Sequence, residues 1–355
     1  MRVTIVGAGA IGGTVGAYLS RSGTPVEMVD KDAAHVTAMA ANGLTIQAFD
    51  ETFTAGVEAI IPAQLSGPLE VVLLAVKAQH TADAVSSIAP LLTADSTVVS
   101  LQNGLCPRTI AAAIGEDRTI GALVNFSADY LEPGLITYAG AGTVRIGGLD
   151  GKPSPRLEAA AALLSGWGSV EVTDNIWGYL WGKLGYANML FGTALTDETM
   201  ADIIDRYRPL MVELAAEVYE AAARAGVRPE PFDNVEPWLY YPRETQDWDR
   251  INASLDDLVA RRRVDQKARS GIWRDLAVRK RRTEVDEQIG AVLRIGRAGG
   301  LPMPLTDRLV TMIHELEDGV RQRTVASVDE LELLRRSNAA GGPADDHDST
   351  ANDHS

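Results

Sequence analysis

The sequence predicts an α/β protein in which an N-terminal Rossmann domain, with a doubly wound sheet, is followed by an all-helical C-terminal domain. The chain begins with a short apolar strand that runs directly into the pattern Gly-x-Gly-x-x-Gly at residues 7–12. Residues 1–150 then alternate short apolar strands with helical stretches, which is typical of a doubly wound sheet. Over residues 155–336 the strands give way to helical periodicity, which predicts a helical domain for substrate binding or dimerisation.

The glycine pattern predicts a dinucleotide-binding turn between the first strand and the first helix. Gly7 permits the tight turn, Gly9 lets a pyrophosphate approach the backbone, and Gly12 lets the helix pack closely on the strand. The helix N-terminus then offers N–H groups and a positive dipole end to the phosphates. The residues expected to contact the cofactor here are Gly7, Ala8, Gly9, Ala10, Ile11 and Gly12.

The first helix is expected from about Ile11 to Arg21, and the second strand from Pro25 to Val29. Asp30 ends this strand 18 positions after Gly12, close to the usual place of the acid that binds a ribose 2′-OH. Its carboxylate repels a 2′-phosphate and therefore favours NAD(H). Lys31 follows at once and can neutralise a 2′-phosphate, so the choice between NAD(H) and NADP(H) stays open.

Two polar residues follow two strands of the predicted parallel sheet. Further strands are expected at residues 44–46, 71–76, 97–101 and 120–124. Lys77 comes directly after the second of these strands, residues 71–76, and Asn103 follows the next strand. Parallel strands present ligand contacts at their carboxyl ends, so both side chains are expected beside the nicotinamide half of the cofactor.

The rest of the chain is predicted from turn signals and periodicity. Residues 136–138 and 144–146 look like a closing hairpin around glycine-rich turns. In the second domain, helices are expected at residues 157–167, 177–196, 209–225, 255–269, 274–298, 306–319 and 328–336, with an irregular segment at 228–250. Residues 338–355 lack periodicity and are expected to form a disordered acidic tail.

Composition narrows the class of protein. The net charge of −15 argues against general binding to nucleic acids or to anionic membranes, but it does not exclude a small anionic substrate. Cys106 is the single cysteine, so a disulfide framework and a cysteine zinc site are excluded, and no metal site is expected. The first strand begins at residue 2 and no apolar run reaches 18 residues, so a cytoplasmic location is expected.

Lys183 interrupts an otherwise apolar helix, and such a charge is rarely buried without a partner. This favours a lysine in a cleft, aimed at the cofactor, over one at the edge of the apolar stripe. Its best partner is expected at residues 282–286, on a predicted helix rich in Arg and Lys. Glu284 and Asp286 differ by about 200° around such a helix, so only one of them is expected to enter the cleft.

These motifs, taken in order, resemble the ketopantoate reductase (2-dehydropantoate 2-reductase) family over about residues 1–320. The matching segments are residues 7–13, 42–44, 76–78, 102–104, 133–134, 139–148, 181–184, 282–286 and 299–302. The resemblance implies a Rossmann domain, a helical domain and an active site between them. It also implies reduction of 2-dehydropantoate to pantoate, in pantothenate synthesis, usually with NADPH.

The resemblance also implies roles for individual residues. Lys183 resembles the catalytic general acid, and Glu284 the carboxylate that orients this lysine or a cofactor ribose. Lys77 and Asn103 resemble the pair that positions nicotinamide and substrate, and the resemblance also implies that Lys183 and Asn103 contact the substrate.

Two further substrate contacts are expected where the chain departs from the family pattern. The family often has asparagines four and eight residues after the lysine, where this chain has Ala187 and Phe191, so Asn188 is the nearest asparagine. The family's substrate-binding serine position holds Ile272 here, and Ser270 is the nearest serine. These changes concern the polarity of the substrate more than the hydride chemistry.

Two alternatives to a ketopantoate reductase remain. One is another two-domain dehydrogenase, of the opine-forming or β-hydroxyacid type. The other is a non-catalytic regulator that senses NAD(P), which would keep the glycine turn but need no lysine in the cleft. A homodimer is plausible from the amphipathic helical domain.

Overall fold

The computed structural model describes residues 2–340, except 140, 141, 233, 265 and 266, and twelve strands lie within these residues. They are β1 (Val3–Val6), β2 (Val26–Val29), β3 (Leu44–Ala48), β4 (Thr52–Ala55), β5 (Glu58–Ile60), β6 (Leu69–Leu74), β7 (Leu92–Ser100), β8 (Thr119–Asn125), β9 (Ala128–Glu132), β10 (Leu135–Tyr138), β11 (Thr143–Gly148) and β12 (Val170–Val172).

The α-helices of the described residues divide between two layers of the molecule. They are α1 (Ala10–Arg21), α2 (Ala33–Asn42), α3 (Thr81–Ile88), α4 (Cys106–Ile114), α5 (Pro155–Leu164), α6 (Ile176–Thr193), α7 (Met200–Arg206), α8 (Arg208–Arg224), α9 (Pro237–Tyr240), α10 (Trp248–Val264), α11 (Gly271–Ala277), α12 (Ile289–Ala298), α13 (Pro304–Glu317) and α14 (Val325–Ala340). The first five accompany the sheets, and α6 to α14 form the helical domain.

The larger sheet has the strand order β12-β11-β8-β7-β6-β1-β2-β5. Strands β1, β2, β5, β6, β7 and β8 are parallel, whereas β11 runs antiparallel to β8. Helices cover the central strands on both faces, and all four residues of β1 and of β2 are buried. The predicted doubly wound α/β architecture, with a helical C-terminal region, is confirmed.

The expected hairpin of residues 136–138 and 144–146 is wrong, because the two segments belong to different sheets. Strand β10 lies in a second sheet of order β4-β3-β10-β9, where it is parallel to β3 and antiparallel to β9. Strand β11 instead pairs with β8 and β12 in the larger sheet. The apolar side of β10 explains the difference: Ile136 and Tyr138 are buried, and Ile136 packs against Gly13 on α1.

The second domain begins later than the predicted residue 155. Helix α5 contributes Leu157, Leu163 and Leu164 to the same apolar core as β1, and β12 joins the edge of the larger sheet. Residues up to about 172 therefore complete the Rossmann domain. The helical domain starts with α6, which packs along α8 so closely that a Cβ on Gly185 would clash with the ring of Tyr219.

The predicted helix at residues 274–298 is wrong in its middle part. The chain forms α11, then a non-helical segment at 278–288, then α12. Glu284 and Asp286 are therefore not on a helix, and the expected helical angle between them does not apply. The predicted helix at 255–269 also lies earlier, at Trp248–Val264, and α7 was not expected.

The predicted acidic tail falls almost wholly outside the described residues. Residues 338–340 still belong to α14, and 341–355 lie outside. No helix of the described residues is both long and apolar enough to cross a membrane. The predicted homodimer and cytoplasmic location stay predictions.

Candidate active site between the two domains

The glycine turn between β1 and α1 has the geometry that a bound pyrophosphate requires. Gly7 has a φ of +98°, and a Cβ there would lie 2.6 Å from the Val76 nitrogen. A Cβ on Gly12 would clash with the carbonyl of Gly7, so only glycine fits at both positions. A Cβ on Gly9 would meet no protein atom within 4 Å. The turn is therefore tight on the protein side and open at Gly9, as a phosphate-binding turn must be.

The N-terminus of α1 faces this opening with the donors that an anion needs. No side chain caps the helix at Gly9, and its first turn contains no acidic residue. The first N–H groups of a helix have no intrahelical acceptor, and the helix dipole favours an anion there. The residues of this turn thus fit the diphosphate of a dinucleotide.

The Asp30 carboxylate accepts hydrogen bonds from the main chain in and beside this turn. Its Oδ2 accepts a hydrogen bond of 2.8 Å from the Ala8 N–H, and its Oδ1 accepts one of 2.9 Å from the Asp32 N–H. Lys31 is exposed, and its Nζ lies 3.1 Å from Nε2 of His80. The sequence correctly places Asp30 and Lys31 beside the turn, but it does not show that backbone groups occupy the carboxylate.

Lys77 connects the two domains from the end of β6. Its Nζ donates to Oε2 of Glu284 at 2.8 Å and to Oδ2 of Asp275 at 3.0 Å. Glu284 also accepts a bond of 2.8 Å from the Ala78 N–H through Oε1. Burial lowers the pKa of Lys77, but the carboxylates of Glu284 and Asp275 outweigh burial and raise this pKa above its ordinary value. Lys77 is therefore a charged ammonium at neutral pH.

Lys183 reaches the Rossmann domain at the neighbouring strand ends. Its Nζ donates to Oδ1 of Asn103 at 2.8 Å and to the carbonyl oxygen of Val124, the penultimate residue of β8, at 2.7 Å. The ring of Phe232 lies 5.8 Å from the same nitrogen. The expectation that residues 282–286 supply the hydrogen-bond partner of Lys183 is wrong, because Glu284 instead holds Lys77.

A narrow recess opens beside Lys183 and Asn103. Its wall comes from both domains and is largely apolar on the helical side, with Leu180, Leu184 and Ala187. Gln102 stands at the base, where its amide donates to the Val76 carbonyl and thereby ties two strand ends together. Asn103 and Lys183 both line this recess, whereas Lys77 does not. The roles expected for these three residues toward cofactor and substrate stay predictions.

Asn188 and Ser270 were expected to contact substrate, but the structure gives both a role in holding the fold. Asn188 is fully buried, and its Nδ2 donates to the Leu214 carbonyl and to Oγ1 of Thr306. Ser270 is the N-cap of α11, where its hydroxyl accepts from the Trp273 N–H. Neither lines the recess beside Lys183.

Sequence reasoning missed Asp275. This side chain is 4% exposed and accepts hydrogen bonds from Lys77, Arg279 and Arg281. The signal that could have found it is a lone acid before a basic run, Arg279 to Arg282, since a buried charge needs partners.

Burial raises the pKa of Cys106 to about 12, which rules out a thiolate nucleophile at neutral pH. Among the described residues, no group of His, Cys, Asp and Glu is arranged to hold a metal ion.

Comparison with known proteins agrees with this geometry. A family model described as ketopantoate reductase PanE/ApbA matches residues 3–151, and one for the C-terminal domain of the same family matches residues 175–317. A 2-dehydropantoate 2-reductase from Mesorhizobium japonicum is 28% identical over 345 residues, which cover 89% of this chain and 98% of that protein.

Solved structures share the whole architecture. A PanE/ApbA family ketopantoate reductase from Ralstonia eutropha JMP134 matches with a TM-score of 0.75 and 26% identity, over 90% of this chain and 99% of that one. D-mandelate dehydrogenase, solved with NADH and anilino(oxo)acetate, matches with a TM-score of 0.75 at 22% identity over 90% of this chain and 99% of that one, so it shares the fold.

The two family models cover both domains and include the glycine turn, Lys77, Asn103, Lys183 and Glu284. The chain is therefore an oxidoreductase that acts on a keto group, and it belongs to the ketopantoate reductase family.

Proposed function

We propose that this chain reduces a small 2-keto acid, 2-dehydropantoate, to the 2-hydroxy acid with NADPH, and that Lys183 is the general acid. The observation that carries this proposal is the position of the Lys183 ammonium. It comes from the helical domain, yet it is bound at the carboxyl edge of the Rossmann sheet by Asn103 and by the Val124 carbonyl. A nicotinamide lies at that edge in this fold.

The chemistry requires a hydride and a proton at the two atoms of one carbonyl group. The reduced nicotinamide, when bound, supplies the hydride to C2 of the keto acid. Negative charge then develops on the C2 oxygen, and Lys183 donates a proton from Nζ to that oxygen and is left as a neutral amine. Two hydrogens of the ammonium go to fixed acceptors, which restricts the directions in which the third N–H bond points.

Asn103 and Glu284 are positioning residues in this proposal. The Asn103 amide fixes Lys183, and it also lines the recess in which a small substrate would lie. The Glu284 carboxylate fixes Lys77 and the Ala78 N–H at the end of β6. Lys77 in turn supplies a positive charge near the cofactor and an anionic substrate.

NADPH is the proposed electron donor, because the residue that would favour NADH is already engaged. Both oxygens of Asp30 accept main-chain hydrogen bonds, which weakens the argument that this carboxylate selects a free ribose 2′-OH. Lys31 stands beside it as an exposed cation. The family name supports the substrate, and the curated relative from Mesorhizobium japonicum is a 2-dehydropantoate 2-reductase.

A second candidate substrate is a 2-keto acid with an apolar side chain. The helical wall of the recess presents Leu180, Leu184 and Ala187, and Asn188, the nearest asparagine, is buried elsewhere. Within this fold, D-mandelate dehydrogenase binds anilino(oxo)acetate, whose side chain is aromatic. An apolar wall gives little hydrogen bonding to the hydroxyl group of 2-dehydropantoate.

The test is a steady-state assay of NADPH consumption with 2-dehydropantoate, 2-oxoisovalerate and phenylglyoxylate. We expect the highest kcat/KM with 2-dehydropantoate and a fall in kcat of at least about a hundredfold in Lys183→Met, the scale of losing a positioned acid or oxyanion donor. Lys152→Met is the matched control, because this lysine side chain is 78% exposed on a loop. A Lys183→Met enzyme with wild-type kcat would refute the role of Lys183. Turnover of none of the acids would favour the non-catalytic sensor.

A further inference from the structure

We propose that the side-chain amide of Gln288 binds the hydroxyl group of the substrate, and that it thereby selects a hydroxylated 2-keto acid over one with a purely apolar side chain. This inference rests on the proposed function, because it concerns the substrate of the same site. Gln288 lies directly before α12 and lines the narrow recess beside Lys183.

The first observation is that the Gln288 side chain is buried without a partner. The residue is 7% exposed, and among the described residues no hydrogen bond reaches its side-chain amide. Gln288 is the N-cap of α12, where a side chain usually accepts from the first N–H groups of the helix, but its amide makes no such bond. Buried amides in proteins are nearly always paired, because an unpaired donor or acceptor is costly. An unpaired amide in the wall of a cleft is therefore available to a ligand.

The second observation is that the other polar side chains of the recess are already engaged. Nε2 of Gln102 donates to a main-chain carbonyl at 2.9 Å and to a threonine hydroxyl at 2.8 Å. Oδ1 of Asn103 accepts from Nζ of Lys183, which donates to a main-chain carbonyl as well. Within the part of the chain that the structure describes, Gln288 is thus the recess residue whose amide is engaged at neither end.

Gln288 is brought to the recess by a close contact between the two domains. Gly104 has a φ of +78°, and a Cβ there would lie 3.0 Å from the Glu287 carbonyl oxygen and 3.3 Å from Cγ of Gln288. The Gln288 N–H donates to the Glu284 carbonyl at 3.0 Å, and the Glu284 carboxylate is bound at the end of β6. The main chain at residue 288 is therefore fixed against the strand ends of the Rossmann domain.

The chemistry of 2-dehydropantoate matches this recess. Its C3 atom bears two methyl groups and one hydroxymethyl group. The methyl groups suit the apolar wall formed by Leu180, Leu184 and Ala187. A hydroxyl group both donates and accepts hydrogen bonds, as a carboxamide does, whereas a carboxylate only accepts them. An amide that is free at both ends therefore suits the hydroxyl group better than the carboxylate.

The test compares kcat/KM, with NADPH, for 2-dehydropantoate and for 3,3-dimethyl-2-oxobutanoate, which lacks only the hydroxyl oxygen. We expect the wild type to prefer 2-dehydropantoate by at least about a hundredfold, since a site that binds a substrate hydroxyl rejects an analogue that leaves its polar group unpaired. Gln288→Met keeps the length of the side chain but removes the amide. It should lower kcat/KM for 2-dehydropantoate at least about tenfold and change that for the analogue by less than about threefold.

Gln322→Met is the matched control, because it makes the same replacement at an exposed glutamine of the helical domain. It should behave as the wild type does with both acids. Thermal unfolding of both variants checks that the fold is intact. The wild type also tests the proposal without any variant, because a preference for 2-dehydropantoate of less than about tenfold would overturn it.

Two results with Gln288→Met would also overturn the proposal. One is an equal loss of kcat/KM for both acids, since Gln288 would then act on the fold or on a group that both acids share. The other is an unchanged kcat/KM for 2-dehydropantoate. If the wild type reduces both acids equally well, the inference fails and keto-acid reduction stands. If the wild type reduces neither acid, the proposed function fails and this inference fails with it.

Discussion

Replacement of Gly9 by alanine should separate cofactor binding from folding. Gly9 has a φ of −68°, which any L-residue adopts, and a Cβ there would meet no protein atom within 4 Å. Alanine is a poorer N-cap than glycine, but it also lowers the entropy of the unfolded chain. These two effects oppose each other. We therefore expect the free energy of unfolding of Gly9→Ala to stay within about 1 kcal/mol of the wild type.

The same methyl group should block the cofactor. The open space over Gly9 is where the pyrophosphate must approach the backbone and the N-terminus of α1. Loss of even one charged hydrogen bond to the phosphates costs about 1.5 kcal/mol or more, which corresponds to at least about a tenfold rise in the Kd for NADPH. Gly12→Ala should behave differently, because its Cβ would clash with the carbonyl of Gly7. That variant should lose about 1–3 kcal/mol of stability.

The assay combines urea unfolding with fluorescence titration of NADPH for Gly9→Ala, Gly12→Ala and a control. Gly168→Ala is the matched control, because a Cβ there also meets no protein atom within 4 Å and Gly168 lies far along the chain, after α5. Wild-type NADPH affinity in Gly9→Ala would refute the assignment of this turn as the pyrophosphate site. A loss of stability in Gly9→Ala as large as in Gly12→Ala would refute the view that the space over Gly9 is open.

Two further predictions concern residues that stabilise the helical domain or its contact with the Rossmann domain. Ser270→Ala removes the hydroxyl that accepts from the Trp273 N–H, so it should lower the free energy of unfolding, measured with urea, by about 1 kcal/mol. The KM for the keto acid should stay unchanged. A raised KM would show that Ser270 does contact the substrate. Asp129 is half-buried, and although burial raises its pKa, Arg274 and Lys267 outweigh burial and lower this pKa below its ordinary value. Its carboxylate therefore stabilises the fold at neutral pH, and this contribution is lost as the pH falls through the lowered pKa, below about 3.8. Asp129→Asn should be less stable than the wild type at pH 7 and equal to it at the acid end; a constant difference across this range would contradict the ion pair.

The sequence predicted the Rossmann half of the site because local rules determine it. The spacing of Gly7, Gly9 and Gly12 follows from steric limits within one turn. Lys77 and Asn103 each follow a buried strand, so the parallel sheet brings them to one edge. These arguments need only the positions of the strands along the chain, which the alternation of apolar runs with helical stretches predicts.

The helical half could not be predicted to the same degree, because long-range hydrogen bonds override local preference there. Residues 278–288 contain neither glycine nor proline and are rich in helix-forming residues, so a continuous helix is the local expectation. Instead, the Thr283 N–H and hydroxyl donate to Glu317, and the Arg281 N–H donates to the Asp275 carbonyl. Such bonds depend on how the elements of the helical domain pack against one another, and one sequence does not show this.

The hydrogen bonds of Glu284 bear on which side chain is the proton donor in the proposed reaction. Both of its oxygens are engaged at the end of β6, one with Lys77 and the other with the Ala78 N–H. Glu284 does not line the recess beside Lys183, so it is not proposed as the proton donor. Lys183 donates to the amide oxygen of Asn103 and to the Val124 carbonyl oxygen, and all three residues line that recess. We therefore propose different purposes for the two lysines: Lys77, held by two carboxylates, provides charge for binding, and Lys183, beside the recess, donates the proton.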